Sequence, residues 1–313
     1  MPYVIAEIGF SHNGDINLAT AMIEKAAECG VDAVKFQSFF ADDLYFPTNE
    51  IHAIFKAGET SVADHALLKK TADANGIDFL STPFSPYWVD VLESLDAAGF
   101  KIASMDVNNP VLLKAVAKKG RRVYLSTGSA TLGEIKSAVK LLWDNGARDV
   151  VVFHCVSNYP TTPQDAALCM IPALRDELGI PIGFSDHTLG IAIPIAAVAL
   201  GAVVVEKHFT LDKNLPGPDH KISADPAEMS ALVTALKEVE SAMTLAPFGK
   251  TRADAEKKKV MRRGIYAASN IKKGEIITLD SLRLVRPEVT PLEKLGKFIG
   301  KPAPRDYAPG DPL

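Results

Sequence analysis

Cysteine is scarce in this chain: its 313 residues contain three, Cys29, Cys155 and Cys169, with no CxxC pair. So sparse and odd a set excludes a disulfide framework and a cysteine-rich zinc site, and it points to a reducing compartment. Charge of one sign is not in excess either, with 34 Lys and Arg against 38 Asp and Glu and a formal net charge of −4. Nucleic acid is therefore not expected as a partner, although a local basic pocket would still take an anionic small molecule. Long apolar runs are missing. The most apolar stretch, IAIPIAAVALGAVVV at 191–205, is too short to span a bilayer and is broken by Pro194 and Gly201. It reads as a buried helix running into a buried strand. The opening MPYVIAEIGF has neither a basic n-region nor a small-residue cleavage site, so a cytoplasmic location away from membranes is expected. The remaining composition, 47% hydrophobic and 23% charged, is ordinary for a globular protein and excludes disorder, collagen-like repetition and a coiled coil.

What is present is alternation. Short β-branched runs at 3–6, 33–36, 77–80, 100–103, 122–125, 150–154, 181–183 and 202–206 are separated by longer stretches of helical periodicity, among them 17–29, 63–75, 87–96, 110–118 and 132–145. Near-continuous apolar strands alternating with amphipathic helices imply a parallel sheet covered on its faces. Eight such units fit a (β/α)8 TIM barrel better than an open doubly wound sheet, and no GxGxxG follows the first strand to support a dinucleotide fold. The barrel is assigned to 1–245. A polar linker at 246–260 contains the charge run Glu256-Lys257-Lys258-Lys259, read as a solvated linker or helix face. Residues 261–313 are assigned to a small β-rich module, in which NIKKGEII at Asn270 faintly echoes DYAPGDPL at Asp306.

Barrels of this type carry function at the C-terminal ends of their strands. Every expected strand here ends in a polar or ionisable group. The first four contribute Glu7; Lys35 and Gln37; Ser81 and Thr82; and Lys101, Ser104 and Asp106. The last four contribute Ser126 and Thr127; His154, Ser157 and Tyr159; Ser185, Asp186 and His187; and Glu206, Lys207 and His208. His187 and His208, from adjacent strands, can offer two imidazoles to one divalent metal, or serve as hydrogen-bonding core histidines. Glu7 and Asp106 can complete the oxygen environment of such a metal, move protons through water, or act as salt-bridge partners. Lys35 and Lys101, with the hydroxyls of Thr82, Ser104, Ser126 and Ser185, suit a phosphate or carboxylate; a buried lysine also leaves a Schiff base open. His154 and Cys155 cannot form a nucleophile pair, because neighbouring strand residues face opposite ways.

The motifs AEIGFSHNGD, VKFQS, STPFS, KIAS, LSTGSATLGEI, HCVSNYPT, FSDHTLG and EKHFTLDKNLPGPDH occur in that order. Together they resemble the sialic acid synthase family, whose members condense phosphoenolpyruvate with an N-acylated hexosamine. The tail GIYAASNIKKGEIITLDSLRLVRP resembles that family's C-terminal antifreeze-like (SAF) domain. The resemblance implies a divalent metal, Mn2+ or Mg2+, on His187 and His208. It implies phosphoenolpyruvate contacts from Lys35, Thr82, Lys101, Ser104, Ser126 or Thr127, Ser157 and Ser185. Glu7 matches a carboxylate for proton handling, Gln37, Tyr159 and Asp219 match groups lining the sugar site, and Arg286 matches an arginine brought to the acyl group by a partner subunit's tail in a swapped homodimer. Asp106 stands where the family commonly has glutamate, and Glu288 where glycine often follows the Arg-Pro pair. The segment between Gln37 and Ile77 looks short for the family's sugar-contacting loop.

A metal-dependent synthase is the leading expectation. Its alternatives are a pyruvate aldolase on the same barrel and a non-catalytic carbohydrate- or ice-binding protein. N-acetylmannosamine, its 6-phosphate and 6-deoxy diacylated analogues remain open as acceptors; the 6-phosphate is least favoured, for want of a spare basic cluster near the short loop.

Overall fold

A computed structural model of the protein describes residues 2–243, 247 and 251–313. Eight parallel strands run in sequence order: β1 (Tyr3–Gly9), β2 (Ala33–Ser38), β3 (Asp78–Pro83), β4 (Gly99–Ile102), β5 (Arg122–Ser126), β6 (Val150–Cys155), β7 (Ile182–Asp186) and β8 (Val204–His208). Pairing of β8 with β1 closes them into a barrel, which rules out the open sheet. All the expected strands are present, and most run further at their C-terminal ends than their apolar content indicates. Glu7, Gln37, Thr82, Ser126, Ser185 and His208 therefore lie within strands rather than beyond them. Polar side chains facing a barrel's open end leave the backbone ladder intact, so pairing continues past the apolar run.

Helices cover the outside where periodicity placed them, at Ile16–Glu28, Val62–Ala74, Pro86–Ser94, Pro110–Ala117 and Leu132–Asp144. Ser61 and Thr131 open two of these with reciprocal capping boxes to Asp64 and Glu134. The apolar stretch at 191–205 resolves into the helix Ala192–Ala199 and the start of β8. Among the described residues, no helix is long and apolar enough to cross a membrane. Two short helices, Ala41–Leu44 and His52–Ala57, carry no amphipathic period and were not expected.

Inside the barrel, Ile5, Ala33, Leu80, Tyr124, Val151, Phe153 and Val204 form an apolar plug. Two residues further along each strand, the same alternation turns polar groups inward. Strand register aligns them, pairing Glu7 with Lys35 and with His208, and Ser185 with Glu206. The intervening residues face the helices. Lys207 and Asp186 are two of these: their charges meet at 2.6 Å, and Lys207 also donates to the Thr188 carbonyl. Both belong to a buried structural ion pair rather than to the mouth of the barrel.

The chain divides into two compact units, Met1–Met243 and Thr244–Leu313. Of the stretch expected as a linker, residues 246 and 248–250 lie outside the described residues, and Arg252–Met261 is a helix with Thr251 as its N-cap. The second unit pairs β9 (Gly264–Ala267) with β10 (Leu282–Val285) in antiparallel fashion around Ile265, Ile271, Ile277, Ala303 and Tyr307. Its internal echo is structural. Ile271 and Tyr307 exchange backbone hydrogen bonds of 3.0 and 2.9 Å, while Gly274 donates to Ala303 and Gly310 to Ala267 in equivalent ways. Glu288 lies 3.9 Å from Arg262 within the same unit.

Candidate active site

The polar end of the barrel opens into a cavity of about 590 Å³. Glu206, on β8, ties its charges together. Its two oxygens each lie 2.7 Å from Lys101 Nζ. Oε1 also accepts from Ser185 at 2.9 Å, and Oε2 is 3.8 Å from Lys35 Nζ. Lys35 Nζ in turn lies 2.8 Å from Glu7 Oε2 and donates to Thr82 Oγ1 at 3.2 Å. Two carboxylates thus hold two lysines, with all four side chains at most 6% exposed.

Burial sets the protonation of this group, and pairing corrects it unevenly. Burial, opposed by Lys35, pushes the Glu7 carboxyl up to about 7. Burial acts in the same direction on Glu206, but Lys101 and Lys35 outweigh it and hold that carboxylate below its usual range. Lys35 is raised overall, because Glu206 and Glu7 overcome its burial. Lys101 is lowered, by burial and by Lys35, even with Glu206 against it. The two lysines are therefore not equivalent. Lys35 is firmly charged, whereas the charge on Lys101 depends on Glu206.

Hydroxyls surround the lysines. Thr82, Ser104, Ser126, Ser157 and Ser185 all line the cavity. Ser104 Oγ accepts from the Gly128 backbone N–H at 2.9 Å and lies 3.2 Å from Cys155 Sγ. A Cβ at Gly128 would sit 2.2 Å from Ser157 Oγ, so a side chain there would force the neighbouring hydroxyls to shift. Cys155 faces inward, while His154 faces outward to the Ala166 carbonyl at 2.8 Å, as strand alternation requires.

The same cavity holds His187 and His208, with ring centroids 5.4 Å apart. Burial keeps both imidazoles neutral, lowering each below its ordinary value, His208 strongly. His187 Nδ1 donates to the Val156 carbonyl at 2.8 Å, which leaves a lone pair on Nε2. His208 Nδ1 is buried without a hydrogen-bond partner, the nearest acid being Asp219 at 3.8 Å. Two neutral imidazoles, one orphaned and one oriented by a carbonyl, suit a divalent metal. Among the described residues no group of three or more His, Cys, Asp or Glu is arranged to hold one, so any further ligands would be substrate or water. Tyr159 lies over this pair, its ring centroid 4.1 Å from that of His187, and Gln37 and Asp219 line the same region.

Two expected residues stand elsewhere. Asp106 ends a short 3-10 turn, binds the Asn109 amide at 2.8 Å and does not line the cavity. Thr127 follows the inward Ser126, so its hydroxyl faces away and donates to the Phe153 carbonyl at 2.8 Å. Arg286 belongs to the second unit, just after β10. Conversely, chemical type alone marks Glu206 only as a polar strand end, although its alternation with His208 in VVEKH turns both inward. Gly128 and an apolar wall from the two unexpected short helices gave no comparable signal.

Comparison with known proteins agrees with this arrangement. The profile of the NeuB family matches residues 22–246, and that of the SAF domain matches 262–313. An uncharacterized protein of Methanocaldococcus jannaschii is 45% identical over 91% of this chain and 85% of its own length. The N,N'-diacetyllegionaminic acid synthase of Campylobacter jejuni is 38% identical over 97% of this chain and 96% of its own. The crystal structure of the N-acetylneuraminic acid synthetase of Leptospira borgpetersenii superposes with a TM-score of 0.79 at 36% identity, covering 82% of this chain and 90% of that one. With its closed barrel and its SAF domain, the chain belongs to the NeuB family of nonulosonic acid synthases, enzymes of the synthase-type transferase class.

Proposed function

We propose that the protein condenses phosphoenolpyruvate with an N-acylated hexosamine to give a nonulosonic acid and phosphate, using Mn2+ or Mg2+ held by His187 and His208. One observation carries the reading: paired buried lysines ringed by hydroxyls share a single cavity with two neutral imidazoles. Lys35 and Lys101, with Thr82, Ser104, Ser126, Ser157 and Ser185, bind the phosphate and carboxylate of phosphoenolpyruvate and keep them fixed. Gln37, Tyr159 and Asp219 orient the open-chain sugar. When bound, the metal supplies Lewis acidity at the aldehyde oxygen. Carbon 3 of phosphoenolpyruvate bonds to the aldehyde carbon, water adds at carbon 2, and the bond from carbon 2 to the phosphate oxygen breaks. Glu7, poised near 7, gives a proton to the aldehyde oxygen or takes one from the adding water. The three free cysteines fit a reducing, cytoplasmic setting for this chemistry.

Full-length protein supplied with Mn2+, phosphoenolpyruvate and a panel of N-acylated hexosamines is expected to release phosphate in step with a nonulosonic acid. No release with any acceptor, or equal turnover with pyruvate in place of phosphoenolpyruvate, overturns the reading.

Self-association enters on the family resemblance. We propose a homodimer in which Arg286 of one chain serves the other chain's sugar site. Mixing inactive His187→Ala and Arg286→Ala proteins should then restore activity, since one barrel in each heterodimer keeps both groups. Absence of rescue after verified subunit exchange rejects the exchange of tails.

A further inference from the structure

We propose that the buried Asp186–Lys207 pair positions the two metal-facing histidines, with Lys207, the residue before His208, clamping both chain neighbours of His187. The inference rests on the metal reading of His187 and His208, and it makes Asp186 and Lys207 positioning residues that touch neither metal nor substrate.

The backbone leaves that task open. Pairing between β7 and β8 ends at Asp186 and Lys207, the residues just before the two histidines. Beyond that rung the two chains take different partners. The His187 carbonyl accepts from the Thr161 N–H at 2.9 Å, in the loop after β6, and Thr188 bridges to Thr161. His208 instead pairs with Glu7 of β1, and its carbonyl accepts from the Ala224 N–H at 2.8 Å. Backbone hydrogen bonds therefore tie each histidine to a different neighbour, and the link between the two chains passes through side chains.

Lys207 supplies that link. Its Nζ donates to Asp186 Oδ2 at 2.6 Å and to the Thr188 carbonyl at 2.8 Å, so it grips the residues on either side of His187. Asp186 Oδ1 accepts from the Thr188 N–H at 2.9 Å and closes the turn around His187. Val156 orients the His187 ring through Nδ1, and the clamp fixes the chain that carries the ring. Both charged side chains are at most 2% exposed. A pair buried so deeply is a weak source of stability, because apolar residues of similar volume often serve as well. Its hydrogen bonds are directional, however, and they set the spacing of β7 and β8 at the level of the imidazoles.

The test measures Mn2+ affinity by calorimetry without substrate, together with the metal-free Tm, in full-length Lys207→Met, Asp186→Asn and the double variant. Asparagine keeps an acceptor for Thr188, and the double variant strands no charge. Each single variant is expected to lower Tm, and the double variant to recover toward the parent value. Mn2+ affinity should fall roughly ten- to a hundredfold in all three, as it does when groups that orient a metal's ligands are removed. The signs separate positioning from charge. Charge alone would make loss of the Lys207 cation tighten Mn2+ binding and loss of the Asp186 anion weaken it. Tighter binding by Lys207→Met, or affinity that recovers with Tm in the double variant, overturns the inference. A double variant that fails to fold shows the pair to be merely structural and overturns it too. In these cases loss of Mn2+ binding in His187→Ala leaves the metal reading standing. A parent protein that binds no Mn2+ defeats that reading, and this inference with it.

Discussion

Glu206→Ala is expected to raise the KM for phosphoenolpyruvate by roughly a hundredfold or more and to cost about 3–5 kcal/mol of stability, because removing one partner of a buried ion pair strands the other. Both oxygens of Glu206 hold Lys101, and its second oxygen is the nearest counter-charge to Lys35 after Glu7. Burial already lowers Lys101 with Glu206 in place. Without that carboxylate Lys101 loses its proton at lower pH, and a neutral amine no longer attracts the anion. The sign follows directly. The alkaline limb of kcat/KM for phosphoenolpyruvate should move toward lower pH in Glu206→Gln, which keeps the shape of the side chain and its acceptor oxygen but not its charge. Urea denaturation gives the stability change and a pH profile gives the limb. A Glu206→Gln enzyme with wild-type KM and an unmoved limb would show that Lys101 does not depend on Glu206 for its charge.

Much of this architecture is legible from alternation alone. A period of two along β-branched runs, and longer periods between them, are enough for a barrel, and the same period of two separates the plug residue Ile5 from Glu7. Carried through consistently, it also places Thr127 outward once Ser126 is inward, and pairs Glu206 with His208 on the inner face. Chemical type at the strand end, taken without parity, leaves Ser126 and Thr127 as alternatives and gives Glu206 no particular role. Asp106 was beyond such reasoning, because a short 3-10 turn after β4 sets its direction. The apolar wall was illegible for another reason. Helices as short as Ala41–Leu44 and His52–Ala57 show no period, and their hold on the barrel comes from ring contacts and close glycine approaches between distant segments. The tail is the reverse case: a faint repeat in sequence, Asn270 onward and Asp306 onward, becomes a pair of segments exchanging equivalent backbone hydrogen bonds.

Removal of either imidazole should be the most damaging single change to turnover. His187→Ala and His208→Ala are each expected to lower kcat by roughly a thousandfold or more, since a metal's stabilisation of developing charge is worth several kcal/mol and each tenfold in rate is about 1.4 kcal/mol. The site has little to compensate with. Among the described residues no third His, Cys, Asp or Glu joins the pair in a metal-holding group, and Asp219 comes no nearer than 3.8 Å to His208 Nδ1. Both rings stay neutral through burial, so a cation displaces no proton from them on binding. Val156 fixes the His187 tautomer by accepting from Nδ1, so a replacement must restore the lone pair on the opposite nitrogen as well as the ring. Calorimetry with Mn2+ alone separates ligation from packing, because it needs neither substrate nor turnover. Metal-binding histidines predict weakened Mn2+ affinity in both variants, with unfolding transitions close to that of the parent protein. Hydrogen-bonding core histidines predict the opposite pattern, unchanged Mn2+ affinity and a lowered Tm, and that outcome would remove the metal from these two residues.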